Sequence, residues 1–206
     1  MFRIIYHQCR YFECMLYIPE IVTEGDSRVY PPSEDSLLLI SCLDVAAGEK
    51  VLEIGCGSGI VSLHCAMAGA VVTAGDINPR AVELTRRNAE LNGIKIDVIE
   101  TDVYGSVSGR FDTIVFNLPY LPVDDDCELS EAWSGGEGGL GPLPELLRGA
   151  EDHGREGWRV VVVVSSLMDR EMLDSLLSTY SVKILGELPL FFERLRVLQI
   201  SSSDQL

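Results

Sequence analysis

The chain has 206 residues and a net charge of −16, from 32 acidic and 16 basic side chains. This length suits one domain with a hydrophobic core of its own. The acidic charge disfavours a nucleic acid as partner, because phosphate backbones bind basic surfaces, and it favours a basic protein instead. No apolar run approaches the roughly 20 residues of a membrane helix, and the N-terminus lacks a signal-peptide cleavage site, so we expect a cytoplasmic protein.

The cysteines and histidines give no metal-binding pattern. Six cysteines stand at positions 9, 14, 42, 56, 65 and 127, without a C-x-x-C pair, and the three histidines are not clustered. Cys9 and Cys14 are close enough in sequence to pair or to ligate a metal, but isolated thiols are the more common outcome. We therefore expect free thiols and no metal site.

Strand-like and helix-like segments alternate from residue 33 onward. Two prolines and Ser33 begin a helix whose leucines face a core. Runs rich in Val and Ile then predict strands at 50–54, 71–75, 95–100, 112–116 and 158–164, with helices at 58–69, 79–92 and 142–154 between them. This alternation predicts an α/β fold with a parallel, doubly wound sheet.

The end of the chain has a different pattern. A helix at 168–179 is followed by two strand-like runs, 181–187 and 192–200, which a short connection joins. Because a short connection can join only antiparallel strands, we expect a C-terminal hairpin that completes a seven-stranded sheet. Residues 1–28 precede this pattern and are predicted to be an N-terminal extension, with residues 29–206 forming the folded domain.

The segment "LEIGCGSGI" places Glu53, Gly55, Gly57 and Gly59 where the first strand meets its helix. Glycines at such a turn let a ligand approach the backbone closely. The dinucleotide-binding fingerprint needs its third glycine at position 60, which here is Ile60. The loop has therefore lost the geometry suited to a pyrophosphate, whereas the amino-acid end of an adenosyl ligand needs no such cradle.

Acidic side chains end three successive predicted strands. Glu53 ends the first strand, Asp76 the second and Asp102 the third. A carboxylate such as Asp76 can accept both hydroxyls of a ribose, and Asp102 can accept the exocyclic N–H of an adenine. One acid alone could be a helix cap or a solvated loop residue, but the three together indicate a nucleoside site.

The stretch "VFNLPYLP" (115–122) carries a polar amide at the end of an apolar strand. Pro119 can end a strand because its ring supplies no N–H, but Asn117 needs another reason. The Asn117 Oδ1 and the Leu118 carbonyl can hold both hydrogens of a planar nitrogen and aim its lone pair at a methyl donor. Tyr120 offers an aromatic face to the same group. The alternative is a simple turn that ends the strand.

The order Glu-x-Gly-x-Gly-x-Gly, Asp, Asp, Asn-x-Pro-Tyr resembles the class I S-adenosylmethionine-dependent methyltransferases. Their fold is a Rossmann-like seven-stranded sheet with a C-terminal antiparallel hairpin. Two flanking stretches, "VYPPSEDSLLL" and "EAWSGGEGGLGPL", resemble the release-factor glutamine N5-methyltransferases, in the short eukaryotic and archaeal branch of this HemK-related family. The resemblance runs from about Val29 to Ile200. It implies methylation of the glutamine in the Gly-Gly-Gln motif of a class I peptide chain release factor.

The resemblance also implies roles for individual residues. The cofactor S-adenosyl-L-methionine, which leaves as S-adenosyl-L-homocysteine, would be held by Ser36, Glu53, Gly55, Gly57, Asp76, Asp102, Val103 and Asn117. The catalytic residues would be Asn117, Leu118, Pro119 and Tyr120, and the substrate would contact Asn117, Tyr120 and Trp133. Members of this branch work with a small zinc-binding activator subunit that pairs with the edge of the third strand. Here that edge would be "GIKIDVIE", with Ile94, Ile96 and Val98.

One position departs from the family pattern, because Leu118 stands where the family has a proline. Its carbonyl is retained, but the fixed φ of proline is lost. Three alternatives stay open: an N-methyltransferase acting on adenine or guanine of DNA or RNA, a protein lysine methyltransferase, and a cofactor-binding scaffold without turnover. The acidic charge, and the lack of room for a recognition domain, disfavour the first of them.

Overall fold

A computed structural model of the protein describes residues 18–119 and 137–203. The helices are α1 (Glu34–Cys42), α2 (Ile60–Met67), α3 (Pro79–Leu91), α4 (Leu143–His153) and α5 (Arg170–Leu177), with a 3₁₀ turn at Glu137–Gly139. The strands are β1 (Lys50–Ile54), β2 (Val71–Asp76), β3 (Asp97–Glu100), β4 (Phe111–Phe116), β5 (Gly154–Ser165), β6 (Tyr180–Pro189) and β7 (Arg194–Ser202).

The strands form one seven-stranded sheet in the order β3-β2-β1-β4-β5-β7-β6. Strands β1 to β5 pair in parallel, and β7 lies antiparallel between β5 and β6. This arrangement confirms the predicted α/β fold and its C-terminal hairpin. Because the strand order reverses between β1 and β4, a crevice is expected outside the carboxyl ends of these two strands.

The sheet separates two hydrophobic layers. Successive residues of a strand point to opposite faces, and β5 follows this rule closely. Val160, Val162 and Val164 pack into one layer with the leucines of α4, whereas Val161 and Val163 pack into the other layer with α1 and α2. A continuous apolar run such as "VVVVV" is therefore the expected sequence of a central strand that is covered on both sides.

The third strand is shorter than its sequence indicates. Residues 95–100 were expected to form it, but β3 covers only Asp97–Glu100 and pairs with β2 at one edge of the sheet. Ile94 and Ile96 lie before the strand, where both are partly buried against the layer of α1 and α2. Their alternation with polar residues thus comes from half-burial of an unpaired segment, which sequence periodicity does not distinguish from a strand.

The segment that precedes α1 packs on the domain. Ile21 is buried in the same layer as α1 and α2. The backbone N–H groups of residues 18–24 donate to side chains of α2 and α3 and to Asn92, which caps α3, and two of their carbonyls accept from Asn88 and Asn92. The division at residue 28 between extension and domain stays a prediction. Within residues 18–119 and 137–203, no helix is long and apolar enough to cross a membrane.

Candidate active site

A cavity of about 430 Å³ opens at the carboxyl ends of β1, β2 and β4, a size within the usual range of small-ligand sites. Its walls come from the loop after β1, the turn after β2, the segment after β3, the end of β4 and residues 28–36. The structure brings together here every residue that was predicted to hold a cofactor: Ser36, Glu53, Gly55, Gly57, Asp76, Asp102, Val103 and Asn117.

Two glycines shape the loop after β1 for different reasons. Gly55 and Gly57 both have a positive φ, 66° and 54°, a backbone conformation that residues with a side chain rarely adopt. A Cβ on Gly55 would also lie 2.5 Å from the ring of Phe116, so this glycine is required for packing. A Cβ on Gly57 would meet nothing closer than 3.8 Å, so only its backbone conformation requires glycine, and its surface is left open to the cavity.

Asp76 links the glycine loop to the start of α3. Its Oδ2 accepts the Gly57 N–H at 2.9 Å, and its Oδ1 accepts the Asn78 N–H at 2.9 Å. The Ile77 N–H also contributes to this set of backbone donors. A carboxylate has about four acceptor sites, so that of Asp76 keeps capacity for a hydroxyl donor from a ligand. Burial raises the pKa of Asp76, while the backbone hydrogen bonds lower it in part.

Glu53 is buried at the end of β1 and has a structural partner. Its Oε2 accepts the Ser62 N–H at 2.8 Å and the Ser62 hydroxyl. Ser62 lies in the first turn of α2, where N–H groups have no partner within the helix, so Glu53 caps α2 from a distance. Burial raises the pKa of Glu53 to about 8, and the nearby Asp76 carboxylate adds to this effect. Burial thus favours the protonated form of the Glu53 carboxyl.

Asp102 and Val103 follow β3 and line the cavity. The Asp102 side chain is exposed. The backbone carbonyl of Asp102 accepts the Gly105 N–H at 2.7 Å in a tight turn. Val103 is buried and has a φ of 42°, and no other non-glycine residue in the described part of the chain has a positive φ. A β-branched residue in this region is strained, and such strain is concentrated at functional sites.

Asn117 ends β4 beside Ser36 of α1. Its Nδ2 donates to the Ser36 Oγ at 3.5 Å, and the Ser36 Oγ donates to the Asp35 Oδ1 at 3.0 Å. The Asn117 Oδ1 is buried and has no hydrogen-bond partner among the described residues. Since buried polar atoms are nearly always paired, this free acceptor at the cavity wall is suited to a donor from a ligand.

The rest of the "VFNLPYLP" stretch divides between core and cavity. Leu118 is 2% exposed and packs in the layer of α4, whereas Pro119 lines the cavity. Tyr120 and Trp133 lie outside the described residues, so their predicted roles stay predictions. The proline of the family pattern is thus replaced here by a side chain that fills the core.

Sequence reasoning missed several residues of the cavity. Tyr30 lines it and donates from its hydroxyl to the Asp35 Oδ2 at 3.4 Å. Ile77, which follows Asp76, is an exposed apolar side chain on the same wall. Asn78 also lines the cavity, and its Oδ1 caps α3 by accepting the Arg80 N–H at 3.0 Å. The signal for Ile77 and Asn78 was their position directly after a strand-ending acid.

Comparisons with known proteins identify a family for the chain. The methyltransferase small domain family matches residues 33–130. A Methanocaldococcus jannaschii protein, provisionally named a protein N5-glutamine methyltransferase, is 38% identical over 178 residues, which cover 83% of this chain and 90% of that protein. The ribosomal RNA small subunit methyltransferase C of Chromohalobacter salexigens is 33% identical over 134 residues, which cover 64% of this chain but only 36% of that longer protein.

A solved structure extends the agreement to the fold. The E. cuniculi Mtq2–Trm112 complex, which methylates the translation termination factor eRF1, contains a chain that matches with a TM-score of 0.68 at 21% identity. The match covers 85% of this chain and 99% of that one. The archaeal relative matches over nearly its whole length, and this decides the family. The chain belongs to the HemK-related protein N5-glutamine methyltransferases.

Proposed function

We propose that this protein transfers a methyl group from S-adenosyl-L-methionine to the glutamine side-chain amide in the Gly-Gly-Gln motif of a class I translation release factor. The observation that carries the proposal is the buried Oδ1 of Asn117 beside the cavity, which has no hydrogen-bond partner among the described residues. Leaving such an atom without a donor costs about 1–3 kcal/mol. The N–H of an incoming amide removes this cost.

The cavity residues fit the cofactor. The Asp76 oxygens keep free acceptor capacity for ribose hydroxyls, and the open surface of Gly57 allows close approach to the loop. The exposed carboxylate of Asp102 is available for the exocyclic N–H of the adenine, and the buried Val103 offers it an apolar contact. When bound, the cofactor supplies an electrophilic methyl group on a positively charged sulfur atom.

The residues that accept the N–H groups of the substrate amide act by holding its nitrogen in position. An amide nitrogen is a poor nucleophile because its lone pair is delocalised into the carbonyl. The Asn117 Oδ1 and the Leu118 carbonyl each accept one N–H of the glutamine amide, which fixes the nitrogen and directs its lone pair toward the methyl group. Ser36 holds the Asn117 amide through its Nδ2, so that Oδ1 is left for the substrate. Tyr120, which lies outside the described residues, is proposed to offer its aromatic face to the planar amide.

A protein acceptor is supported by charge and by the relatives. The net charge of −16 disfavours a phosphate backbone, and the archaeal relative carries the name of a glutamine methyltransferase. The similarity to ribosomal RNA methyltransferase C favours a second candidate, transfer to the exocyclic amine of a guanine or adenine. A release-factor substrate also implies that the enzyme works in the cytoplasm, where translation takes place.

An activator subunit is part of the proposal. Strand β3 forms one edge of the sheet and pairs on one side only, with β2. An unpaired strand edge is open to pairing with another chain. The E. cuniculi Mtq2 is found in complex with Trm112, which supports a small activator, proposed to bind zinc, at this edge. A monodisperse enzyme that is fully active without any partner would contradict this part.

The test of the proposed function separates binding from transfer. We expect the Asn117→Ala variant to lose methyl transfer to a purified release factor, because the amide nitrogen is no longer held. Its affinity for S-adenosyl-L-homocysteine, measured by calorimetry, should fall by no more than a few fold. Unchanged turnover would refute the positioning argument, and transfer to an oligonucleotide but not to the release factor would favour the second candidate.

A further inference from the structure

The segment of residues 18–32, called the strap below, is attached to the domain by a regular set of side chains. The backbone of Val22 pairs with the Asn92 side chain, its N–H donating to Oδ1 at 2.9 Å and its carbonyl accepting from Nδ2 at 2.7 Å. The backbone of Glu24 pairs in the same way with Asn88, at 2.8 Å and 3.3 Å. Each asparagine side chain thus makes the two hydrogen bonds that the backbone of a neighbouring strand would otherwise make with the strap.

The spacing of these pairs explains why they form. Asn88 and Asn92 are four residues apart on α3 and its cap, a rise of about 6 Å. Val22 and Glu24 are two residues apart, which spans about 6.6 Å in extended chain. The two distances match, and the strap runs in the direction opposite to α3, toward the N-terminus of this helix. There the Asn78 Nδ2 donates to the Arg28 carbonyl at 3.0 Å.

The strap therefore ends at the cavity. Four of its residues line the cavity together with the strand ends: Arg28, Val29, Tyr30 and Pro32. The pairs at Val22 and Glu24 lie outside the lining of the cavity. They are the attachment points of a segment whose far end forms part of the site.

Asn88 connects the strap to the glycine loop. Its side chain is 0% exposed, and the second hydrogen of its Nδ2 donates to the Ser58 carbonyl at 2.8 Å, between Gly57 and Gly59. One buried amide thus joins the strap backbone to the loop that faces the cavity. Asn92 differs in this respect, because its remaining hydrogen bond goes to the Asn88 carbonyl, within the helix end.

We propose that the strap is a working part of the cofactor site and that Asn88 is the positioning residue that couples strap attachment to the glycine loop. The inference rests on the cofactor-binding half of the proposed function and extends it to residues that do not touch the cavity. Because the coupling is reciprocal, a ligand bound against the glycine loop and the strap also stabilises the attachment of Val22 and Glu24.

Hydrogen exchange in the full, unmodified chain tests this coupling directly. At a free S-adenosyl-L-homocysteine concentration of 100 times its Kd, opening of a strap that is required for binding is suppressed by up to about 100-fold. We expect the exchange of the Val22 and Glu24 amides to slow at least tenfold, while amides of α5 (Arg170–Leu177) stay unchanged. Equal exchange of the two strap amides with and without ligand would overturn the proposal.

Two matched variants locate the coupling. We expect Asn88→Ala to raise the Kd for S-adenosyl-L-homocysteine about tenfold, because the hydrogen bond to the Ser58 carbonyl of the glycine loop is lost together with the two strap bonds. It should raise the KM for the methyl donor to the same extent and leave kcat within about twofold, because the acceptor residues are untouched. Asn92→Ala removes an equal number of strap hydrogen bonds and should change the Kd by less than about threefold. Equal effects of the two variants, or a fall in kcat alone, would overturn the role of Asn88.

The outcomes also separate this inference from the proposed function. If the wild-type chain binds S-adenosyl-L-homocysteine and its strap amides are not protected, only the inference fails. If the wild-type chain does not bind this ligand at all, both fail. If Asn88→Ala does not fold, which circular dichroism reports, the exchange experiment on the wild-type chain decides alone.

Discussion

The buried carboxyl of Glu53 makes stability depend on pH in a way that one substitution can remove. Glu53 has an ordinary pKa of 4.5 when unfolded and a pKa of about 8 in the folded chain, because it is buried. A pKa that is raised by folding gives stability that is complete below pH 4.5 and is lost as the pH rises through 8. Each pH unit in this interval lowers the free energy of unfolding by about 1.4 kcal/mol, or about 5 kcal/mol in all.

The assay is urea unfolding of the ligand-free protein, with a reductant present, at several pH values between 4.5 and 8. Glu53→Gln keeps a carbonyl oxygen for the Ser62 N–H but has no proton to lose, so this variant should lack the decline. His64 and Asp76, whose pKa values are also shifted by burial, are common to both chains. The difference between the two chains therefore reports mainly Glu53.

We expect the two proteins to have similar stability at pH 4.5, within about 1 kcal/mol. At pH 8 the variant should be more stable by several kcal/mol. Parallel stability profiles for the two chains would show that Glu53 ionises in the folded protein as it does in the unfolded one. The raised pKa of Glu53 would then be wrong.

Substitutions at three further positions test single contacts of the site. Ser36→Ala removes the only side-chain partner that the described residues give the Asn117 amide, and should lower kcat about tenfold; an unchanged kcat would rule out this positioning role. Asp76→Ala should weaken S-adenosyl-L-homocysteine binding at least about tenfold by calorimetry, and an unaffected affinity would refute the ribose assignment. Leu118→Ala and Leu118→Pro should each lower thermal stability, by about 2 kcal/mol, because a buried side chain is lost. The proline variant should keep its turnover, and turnover lost only with proline would contradict the carbonyl's role.

The parts of the fold that sequence predicted are those with a strong pattern. Strand β5 contains a run of five valines at 160–164, and the burial of this part on both faces could be expected from the run alone. The hairpin followed from the short connection between β6 and β7. The start of β3 was predicted wrongly because Ile94 and Ile96 alternate with polar residues for a different reason, half-burial of an unpaired segment after α3.

The site was predictable where polar residues stand at strand ends. Asp76 and Asn117 interrupt apolar strands, and such interruptions have few structural explanations. The strap was not predictable, because Asn88 and Asn92 are polar residues at an amphipathic helix whose partners lie 64 and 70 positions away in sequence. The capping of α2 by Glu53 spans only nine residues, but it depends on the packing of β1 against α2, which the local sequence does not specify.

The most direct test of the central claim is to identify the atom that receives the methyl group. A purified class I release factor is incubated with the enzyme, the proposed activator subunit and labelled S-adenosyl-L-methionine, and the labelled peptide is sequenced by mass spectrometry. We predict one methyl group on the glutamine of the Gly-Gly-Gln motif and no label when that glutamine is replaced by alanine. A label on another residue, or one that persists in the alanine variant, would contradict the account.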